Sequence, residues 1–282
     1  MRWLLILIAA RAFSHSFDIS PAVIHQGETL KLSADSNADS ARFLDRTIRL
    51  FPAENGRCFG LMPVPVLEKP GQYPLEFLDS NGVVLQRTMI LVRNAHYGKQ
   101  NIVIAKSLSE LRPSPGERET VNAFRHEVTP VRFWQEPLES PVPGCMTSPF
   151  GVMRLHNGKP TGDFHAGIDQ RAPAASPIHA IAAGDVKIVR PFNLRGGTVA
   201  IDHGQGLQSI YLHLSSFAIK EGDHVARGDV IGYAGSTGRS TAPHLHWTLY
   251  VQSEPVNPSQ WVHLVPCREP PKAPAAPHAP AP

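Results

Sequence analysis

The stretch Ser240–Tyr250 reads "STAPHLHWTLY" and constrains the fold of the C-terminal half of the chain more than any other. From its fourth residue onward it has the character of a β-strand, in which successive side chains point to opposite faces. We therefore expect Leu245 and Trp247 to pack on one face. His244 and His246 then share the other face, so one strand presents two imidazoles side by side.

The composition places this 282-residue chain among globular proteins. It is 42% hydrophobic and 18% charged, with a formal net charge of +3, and it is long enough for two domains. We expect no nucleic-acid partner, because the charge is small and no Lys/Arg run interleaved with aromatic residues occurs. A weak positive bias is compatible with an acidic polymer as a partner.

Residues 1–12 have the layout of a secretory signal peptide. Arg2 precedes a short apolar run, Trp3 to Ala10, and Ala10-Arg11-Ala12 offers an A-x-A cleavage site. The apolar run is well below the ~20 residues of a spanning helix, and no other segment is apolar enough to remain in a membrane after cleavage. We expect export to the periplasm, the cell envelope or the extracellular space. The alternative is a buried first strand.

Residues 17–95 predict a small β-sandwich. Short strand-like runs such as "RTIRLFPA" and "VVLQRTMILV" alternate with turn signals, and Asn81-Gly82 is a strong hairpin signal. No cluster of catalytic residue types occurs there, so we interpret this segment as a binding or spacer module.

Residues 96–144 are interpreted as a linker. Ser114-Pro115-Gly116-Glu117 has the form of a capping box with proline at the first helical position, which predicts a short helix through about Arg125. Proline-stiffened, extended chain follows. At the other end of the chain, residues 267–282 are rich in proline and alanine and predict a disordered or polyproline tail.

Residues 145–266 predict an all-β domain of antiparallel sheets with a substrate groove. Runs such as "DVKIVRP" and "GTVAIDHG" are bounded by turn residues, and helical periodicity is nearly absent. Cys145 and Cys267 bracket this domain. They are interpreted either as a disulfide, which export permits, or as two free thiols. Cys58 lies in an apolar context and is expected to be a small core residue.

Three histidine clusters within residues 145–266 have spacings that favour a metal site. "FHAGIDQ" places His165 and Asp169 four residues apart, "IYLHLS" places His213 at the end of an apolar strand, and "APHLHW" supplies the opening pair. Neutral imidazole and carboxylate are good zinc ligands, and a catalytic zinc site uses three protein ligands plus water. Each cluster alone arises often by chance, whereas their joint occurrence in this order is specific.

With these motifs in hand, residues 145–262 resemble the zinc metallopeptidases of the LytM/lysostaphin type, which cut peptide cross-links in bacterial cell walls. The matching runs are "SPFGVMR", "HAGID", "GDVKIV", "GTVAIDHG" and the segment from "SIYLHLS" to "APHLHW". The resemblance implies a Zn²⁺ ion held by His165, Asp169 and His246. It also implies two catalytic histidines that are not ligands, His213 and His244. The expected activity is hydrolysis of peptide bonds in peptidoglycan stem peptides or cross-bridges.

The sequence departs from the family pattern at two positions. The family often has glycine before Pro-His-Leu-His and an acidic residue after the aromatic residue, where this chain has Ala242 and Thr248. Only local adjustments are expected, because neither position is a ligand or a catalytic residue of the motif. Residues 17–95 are also similar, more loosely, to the β-rich module that precedes some of these peptidases.

Two alternative functions remain open on the sequence. Some relatives have lost ligands and activate other wall hydrolases, so one alternative is a non-enzymatic wall-binding or activator protein. The other is a different zinc hydrolase or lyase, or a structural metal module.

The remaining histidines and a glycine-rich segment are given structural interpretations. His203 is interpreted as structural, and "GYAGSTGRSTAP" is interpreted as a wall of the groove. Four further histidines are interpreted as surface or strand residues: His156, His179, His224 and His263.

Overall fold

The computed structural model describes residues 16–53 and 56–267, which divide into two compact units between Ala95 and His96. The predicted signal peptide, and the predicted tail beyond Cys267, lie outside the described residues. Within the described residues, none of the helices combines the length and the apolar character that crossing a membrane requires.

In the part of the first unit that the structure describes, nine strands form two sheets. They are β1 (Phe17–Ser20), β2 (Val23–His25), β3 (Thr29–Asp35), β4 (Ser40–Phe43), β5 (Arg46–Arg49), β6 (Phe51–Pro52), β7 (Arg57–Pro63), β8 (Gly71–Leu78) and β9 (Val84–Arg93). One sheet has the order β1-β3-β7-β6 and the other β2-β9-β8-β4-β5, with β2 parallel to β9 and the remaining pairs antiparallel. A shared core includes Leu32, Met62 and Phe77, so the β-sandwich prediction is confirmed.

Two local predictions for this unit are also confirmed. The Asn81-Gly82 turn joins β8 to β9: the Asp79 carboxylate accepts the N–H groups of Asn81 and Val83, and Gly82 has a φ of +78°. A positive φ favours glycine, which is why the Asn-Gly pair marked this hairpin. Cys58 is buried within the core, as its apolar neighbours indicated.

The second unit begins before the peptidase-like sequence, and its described residues, 96–267, contain fourteen strands and two α-helices. They are β10 (Lys99–Ile102), α1 (Lys106–Ser109), α2 (Glu117–His126), β11 (Met146–Ser148), β12 (Met153–His156), β13 (Lys159–Phe164), β14 (Ile168–Gln170), β15 (Pro177–His179), β16 (Gly184–Phe192), β17 (Gly196–Gly204), β18 (Leu207–Leu214), β19 (Ser216–Phe217), β20 (His224–Val225), β21 (Val230–Tyr233), β22 (Leu245–Val251) and β23 (Glu254–Val256). A 3₁₀ turn, Pro258–Gln260, follows.

An antiparallel sheet of eight strands forms the centre of this unit. Its order is β11-β14-β22-β18-β17-β16-β20, and β23 pairs with β22. The other sheets are β15-β21-β19 and β10-β12-β13. In the latter, β10 runs parallel to β12, so part of the segment interpreted as a linker pairs with a strand of the peptidase-like region.

Helix α2 packs on the central sheet through Val121 and Phe124. These two side chains, one turn apart and therefore on one face, contact Ile188, Ile210 and Tyr250. The helix begins two residues later than predicted. Pro115 lies in a turn, and Gly116, with a φ of +75°, is the cap. Half of the capping box is present, because the Glu117 carboxylate accepts the Ser114 N–H at 3.0 Å.

A disulfide between Cys145 and Cys267 joins the two ends of the domain, with the Cα atoms 5.0 Å apart. Backbone hydrogen bonds beside it, from Met146 N–H to Val265 and from Cys267 N–H to Met146, hold the same two segments together. Of the two alternatives predicted for these cysteines, the structure therefore has the disulfide and not two free thiols.

Candidate active site

Three side chains meet on one face of the central sheet. Asp169 in β14 and His246 in β22 are directly opposite each other in the antiparallel pair, so their side chains project to the same face. His165 lies three residues before β14 and is held by its N–H to the carbonyl of Val152 at 2.9 Å. The four-residue spacing of "HAGID" thus brings an imidazole beside the Asp169 carboxylate.

The facing atoms of these residues form a triangle with nearly equal sides. His165 Nε2 is 3.0 Å from His246 Nδ1 and 3.1 Å from Asp169 Oδ1, and His246 Nδ1 is 2.9 Å from Asp169 Oδ1. Three lone-pair atoms converge there in a nearly buried position. Tetrahedral zinc ligands at about 2.0–2.1 Å from the ion lie roughly 3.3 Å apart, so the donor set and its spacing fit one such ion.

Hydrogen bonds to their other ring nitrogens orient the two imidazoles. His165 Nδ1 lies 2.9 Å from the carbonyl of Pro149, which can only accept, so Nδ1 carries the proton and Nε2 keeps its lone pair. His246 Nε2 lies 3.2 Å from the hydroxyl of Thr248. Such outer partners set the tautomer and orientation of metal-binding histidines. Thr248, where only a local adjustment was expected, therefore contacts a predicted ligand.

The second carboxylate oxygen of Asp169, Oδ2, also accepts a hydrogen bond. Arg154 donates to Oδ2 at 3.3 Å, and the carbonyl oxygen of the Gln100 side chain accepts from both Arg154 and the Ser148 hydroxyl. Burial raises the pKa of Asp169, but the imidazoles of His165 and His246 outweigh it and hold that pKa well below its ordinary value. The carboxylate is therefore ionised, as a metal ligand must be.

Sequence reasoning missed these supporting residues. Ser148 and Arg154 lie within "SPFGVMR", which was recognised only as a matching run. Gln100 lies on β10, in the segment interpreted as a linker, and no spacing pattern could reveal it. Thr248 shares the strand face of His246, so strand alternation was the available signal.

The other two predicted histidines stand beside this triangle. The ring centroids of His213 and His244 are 5.0 Å apart, and that of His213 is 6.2 Å from His246. His213 Nδ1 is 2.8 Å from the carbonyl of Thr237, and His244 Nδ1 is 2.8 Å from that of Ala242. Because these carbonyls can only accept, both rings carry their proton on Nδ1 and keep the Nε2 lone pair for a reactant.

A β-bulge aims His213 at the site. Leu212 and His213 of β18 together oppose the single residue Thr198 of β17, and His213 takes a φ of +65°. This conformation is uncommon outside glycine, and bulges near active sites commonly redirect a side chain. Burial, followed by the neighbouring imidazoles of His246 and His244, lowers the pKa of His213 to about 3, so the ring is neutral at physiological pH.

The five residues line a cavity of about 660 Å³. The strand prediction for "PHLHW" is confirmed, apart from a start at Leu245: His244, His246, Thr248 and Tyr250 face the cavity, while Leu245 and Trp247 are fully buried. The "GSTGRSTAP" loop contributes Arg239, Ser240 and Thr241 to the wall, as expected for a groove.

The remaining histidines separate into groove and non-groove residues. His156, interpreted as a surface or strand residue, is on strand β12 but also lines the cavity. His203 is fully buried and bonded to Ala183 and Ser209, away from the triangle. His179 and His224 lie in strands and bond to Gly228 and Asp185, and His263 is exposed.

Residues 163–258, which include all five site residues, match the model of peptidase family M23. The chain contains a peptidase family M23 domain. The resemblance to lysostaphin-type peptidases is thereby confirmed.

Three relatives illustrate this similarity. The DD-carboxypeptidase/endopeptidase Mpg of Neisseria meningitidis serogroup B is 43% identical over 113 residues, which is 40% of this chain and 26% of the relative. The peptidoglycan DD-endopeptidase ShyA of Vibrio cholerae is 39% identical over 112 residues, again 40% and 26%. Lysostaphin of Staphylococcus simulans is 38% identical over 94 residues, 33% and 19%. This chain thus spans about a quarter of the length of these curated relatives or less.

A solved structure extends the likeness beyond the M23 domain. A crystal structure described as a peptidase M23 of Pseudomonas aeruginosa has a TM-score of 0.63 and 27% sequence identity. The match covers 86% of this chain and 95% of that one. It therefore includes much of the chain that precedes residue 163.

Proposed function

We propose that this chain is an exported zinc metalloendopeptidase that hydrolyses peptide bonds in peptidoglycan stem peptides or cross-bridges. The observation that carries the proposal is the arrangement of five residues in one groove. His165, Asp169 and His246 hold the Zn²⁺ ion, and His213 and His244 stand beside them with Nε2 lone pairs available. The substrate class is supported by the names of the relatives, Mpg, ShyA and lysostaphin.

A zinc ion held by His165, Asp169 and His246 would supply a Lewis acid, which would polarise a scissile carbonyl and lower the pKa of a water toward ~7. Residues of the protein transfer the proton and stabilise the oxyanion. A neutral His213 or His244 acts as general base and accepts a proton of the attacking water at Nε2. Once protonated, the same ring donates a hydrogen bond to the oxyanion of the tetrahedral intermediate. The carbonyls of Thr237 and Ala242 keep both rings in the required tautomer throughout.

Export is supported by two features of the chain. The pattern of residues 1–12 is that of a signal peptide, and the Cys145–Cys267 disulfide is typical of proteins in oxidising compartments. Cell fractionation, with thiol alkylation of the recovered protein, tests this part of the proposal. A reduced protein confined to the cytoplasm would contradict it.

The catalytic roles are tested with His213→Ala and His244→Ala. We expect each purified variant to retain about one zinc per chain, measured by mass spectrometry of the metal, and to lose peptidoglycan hydrolysis by at least ~100-fold, as for removal of a general base. His224→Ala, an exposed histidine outside the groove, is the matched control and should hydrolyse normally. Normal hydrolysis by either groove variant would refute its assigned role, and zinc-loaded wild-type protein without hydrolysis would favour a non-enzymatic binding protein.

A further inference from the structure

The groove beside the metal site is lined by four arginines. Arg154 contacts Asp169, whereas Arg118, Arg195 and Arg239 come from three separate parts of the chain. Arg118 belongs to α2, which precedes the residues that match the family model. This cationic lining is therefore partly a property of the segment before the M23 domain.

Hydrogen bonds donated by backbone N–H groups hold these three segments together. The buried Glu117 carboxylate accepts the N–H groups of Leu194 and Arg195, each at 3.2 Å. The carbonyl of Leu194 in turn accepts the N–H of Arg239 at 2.9 Å. Arg118 is the neighbour of Glu117, so the backbones of Arg118, Arg195 and Arg239 are joined through one short network.

The two loops are packed backbone against backbone. Gly238 has a φ of +71°, and a Cβ atom at this position would lie 2.4 Å from the N of Gly196. A side chain does not fit there, and the positive φ itself favours glycine. The loop that carries Arg239 is thus fixed against the loop that carries Arg195.

The charges of these arginines are unequally neutralised. Arg195 is paired with Glu117 at 2.9 Å, and Arg154 with Asp169. Arg118 and Arg239 are exposed, and neither forms an ion pair with an acidic side chain in the parts of the chain that the structure describes. Two acidic residues line the cavity: Asp169, which is a proposed metal ligand, and Asp163. The groove wall therefore carries uncompensated positive charge.

A second, smaller recess continues this wall. Its volume is about 340 Å³, and it shares Arg118, Arg195 and Tyr250 with the groove. Arg125 lines it as well, while Glu119 is its acidic residue. The positive surface thus extends along α2 from Arg118 to Arg125.

We propose that Arg118 and Arg239 bind a free carboxylate of the peptide substrate, so that the enzyme prefers stem peptides whose acidic groups are not amidated. Guanidinium groups recognise carboxylates through paired N–H donors, and two of them from separate segments of the chain would orient the peptide in the groove. The inference rests on the proposed peptidase function and adds to it the chemical class of the substrate. It assigns α2 a role in substrate selection.

The test compares two synthetic cross-linked stem peptides of one sequence, with their carboxylates either free or converted to carboxamides. We expect the wild-type chain to cleave the free acid with a kcat/KM about tenfold higher, a preference that shrinks as salt is raised. The Arg118→Gln/Arg239→Gln double variant should lower kcat/KM for the free acid about tenfold and leave the carboxamide unchanged. Arg112→Gln, an exposed arginine outside both recesses, is the matched control and should keep the preference.

Two results would overturn the inference while leaving the peptidase function intact. One is equal cleavage of both peptides by the wild-type chain, and the other is an equal loss of both activities in the double variant. If neither peptide is cut, the proposed function fails for these substrates, and the subsite is judged by binding of the same labelled peptides to the zinc-loaded protein. Tighter binding of the free acid, lost in the double variant, supports the subsite, and equal affinities refute it.

Discussion

The hydroxyl of Thr248 contacts His246, one of the three proposed metal ligands. It lies 3.2 Å from His246 Nε2, on the side of the ring that faces away from Asp169. If Nδ1 binds the proposed ion, Nε2 carries the proton and donates to this hydroxyl. Without that partner the imidazole is free to rotate and the ligand is less well positioned.

We therefore predict that Thr248→Val weakens zinc binding about tenfold while the domain remains folded, since the replacement has the same shape. Competition against a chelator of known affinity measures this effect. Thr241→Val, an exposed threonine of the groove wall, is the control and should bind zinc like the wild type. Unchanged affinity in a folded Thr248→Val protein would contradict the orienting role.

His203 makes a separate prediction about pH. Burial lowers its pKa from 6.5 to about 4, although the carbonyl of Ala183 opposes the shift. Below pH 6.5, His203 is protonated in the unfolded chain but stays neutral in the folded protein. The free energy of unfolding therefore falls as the pH decreases toward 4. We expect the protonation of this histidine on unfolding to lower the free energy of unfolding by about 3 kcal/mol between pH 6.5 and pH 4.

Denaturant unfolding at pH 7 and pH 4 of the wild type and His203→Gln isolates this effect. The loss of stability between the two pH values should be smaller in the variant by about that amount, since every other titrating group is common to both proteins. Identical losses in the two proteins would show that His203 does not titrate on unfolding.

At the scale of elements, β22 and α2 show which features local sequence can predict. The alternation in "PHLHWTL" correctly assigned the two faces of β22, because strand alternation depends only on local geometry. The capping box correctly indicated α2 but placed its start too early, since Gly116 adopts a positive φ that ends the preceding turn. The parallel pairing of β10 with β12 depends on distant residues, and "KQNI" carries no alternating apolar pattern that would reveal it.

The same limit explains which site residues were found. The proposed zinc ligands and the proposed catalytic histidines occur in recognisable runs, so they could be predicted before the structure. Gln100 and Arg118 lie in the segment interpreted as a linker, and their place in the groove follows from tertiary packing alone. A sequence pattern cannot show which side chain a β-bulge redirects, as at His213.

Glu117 links α2 to the groove, and its removal provides a prediction at this scale. Its buried carboxylate accepts hydrogen bonds from Ser114, Leu194 and Arg195. Burial raises the pKa of Glu117, yet the backbone N–H groups of Ser114 and Leu194 outweigh it and leave the pKa lowered. Glu117→Ala would leave those donors and the Arg195 guanidinium unpaired.

We expect Glu117→Ala to lower the free energy of unfolding by about 3 kcal/mol, the typical cost of breaking a buried ion pair. Thermal or denaturant unfolding of the purified protein measures the change. Glu119→Ala, an exposed residue of the same helical turn, should change stability by less than about 0.5 kcal/mol. Equal effects of the two substitutions would show that Glu117 does not anchor the Asn193–Arg195 loop.

At the scale of the whole molecule, the Cys145–Cys267 bridge closes a loop of 122 residues in sequence separation. In the chain-entropy model a closure of this length stabilises the folded state by about 5 kcal/mol, because it restricts the unfolded chain. We expect the midpoint of thermal unfolding of the second unit to fall in Cys145→Ser/Cys267→Ser. The wild type in reducing agent should show the same midpoint, and a midpoint equal to that of the oxidised wild type would contradict this role.

The most direct test of the proposed function is the digestion of purified peptidoglycan, followed by mass spectrometry of the released fragments. We predict fragments that carry newly formed amino and carboxyl termini within stem peptides or cross-bridges. Their release should stop when a chelator removes the metal and resume when zinc is restored. A zinc-loaded, folded protein that leaves every peptide bond of the wall intact would contradict the account.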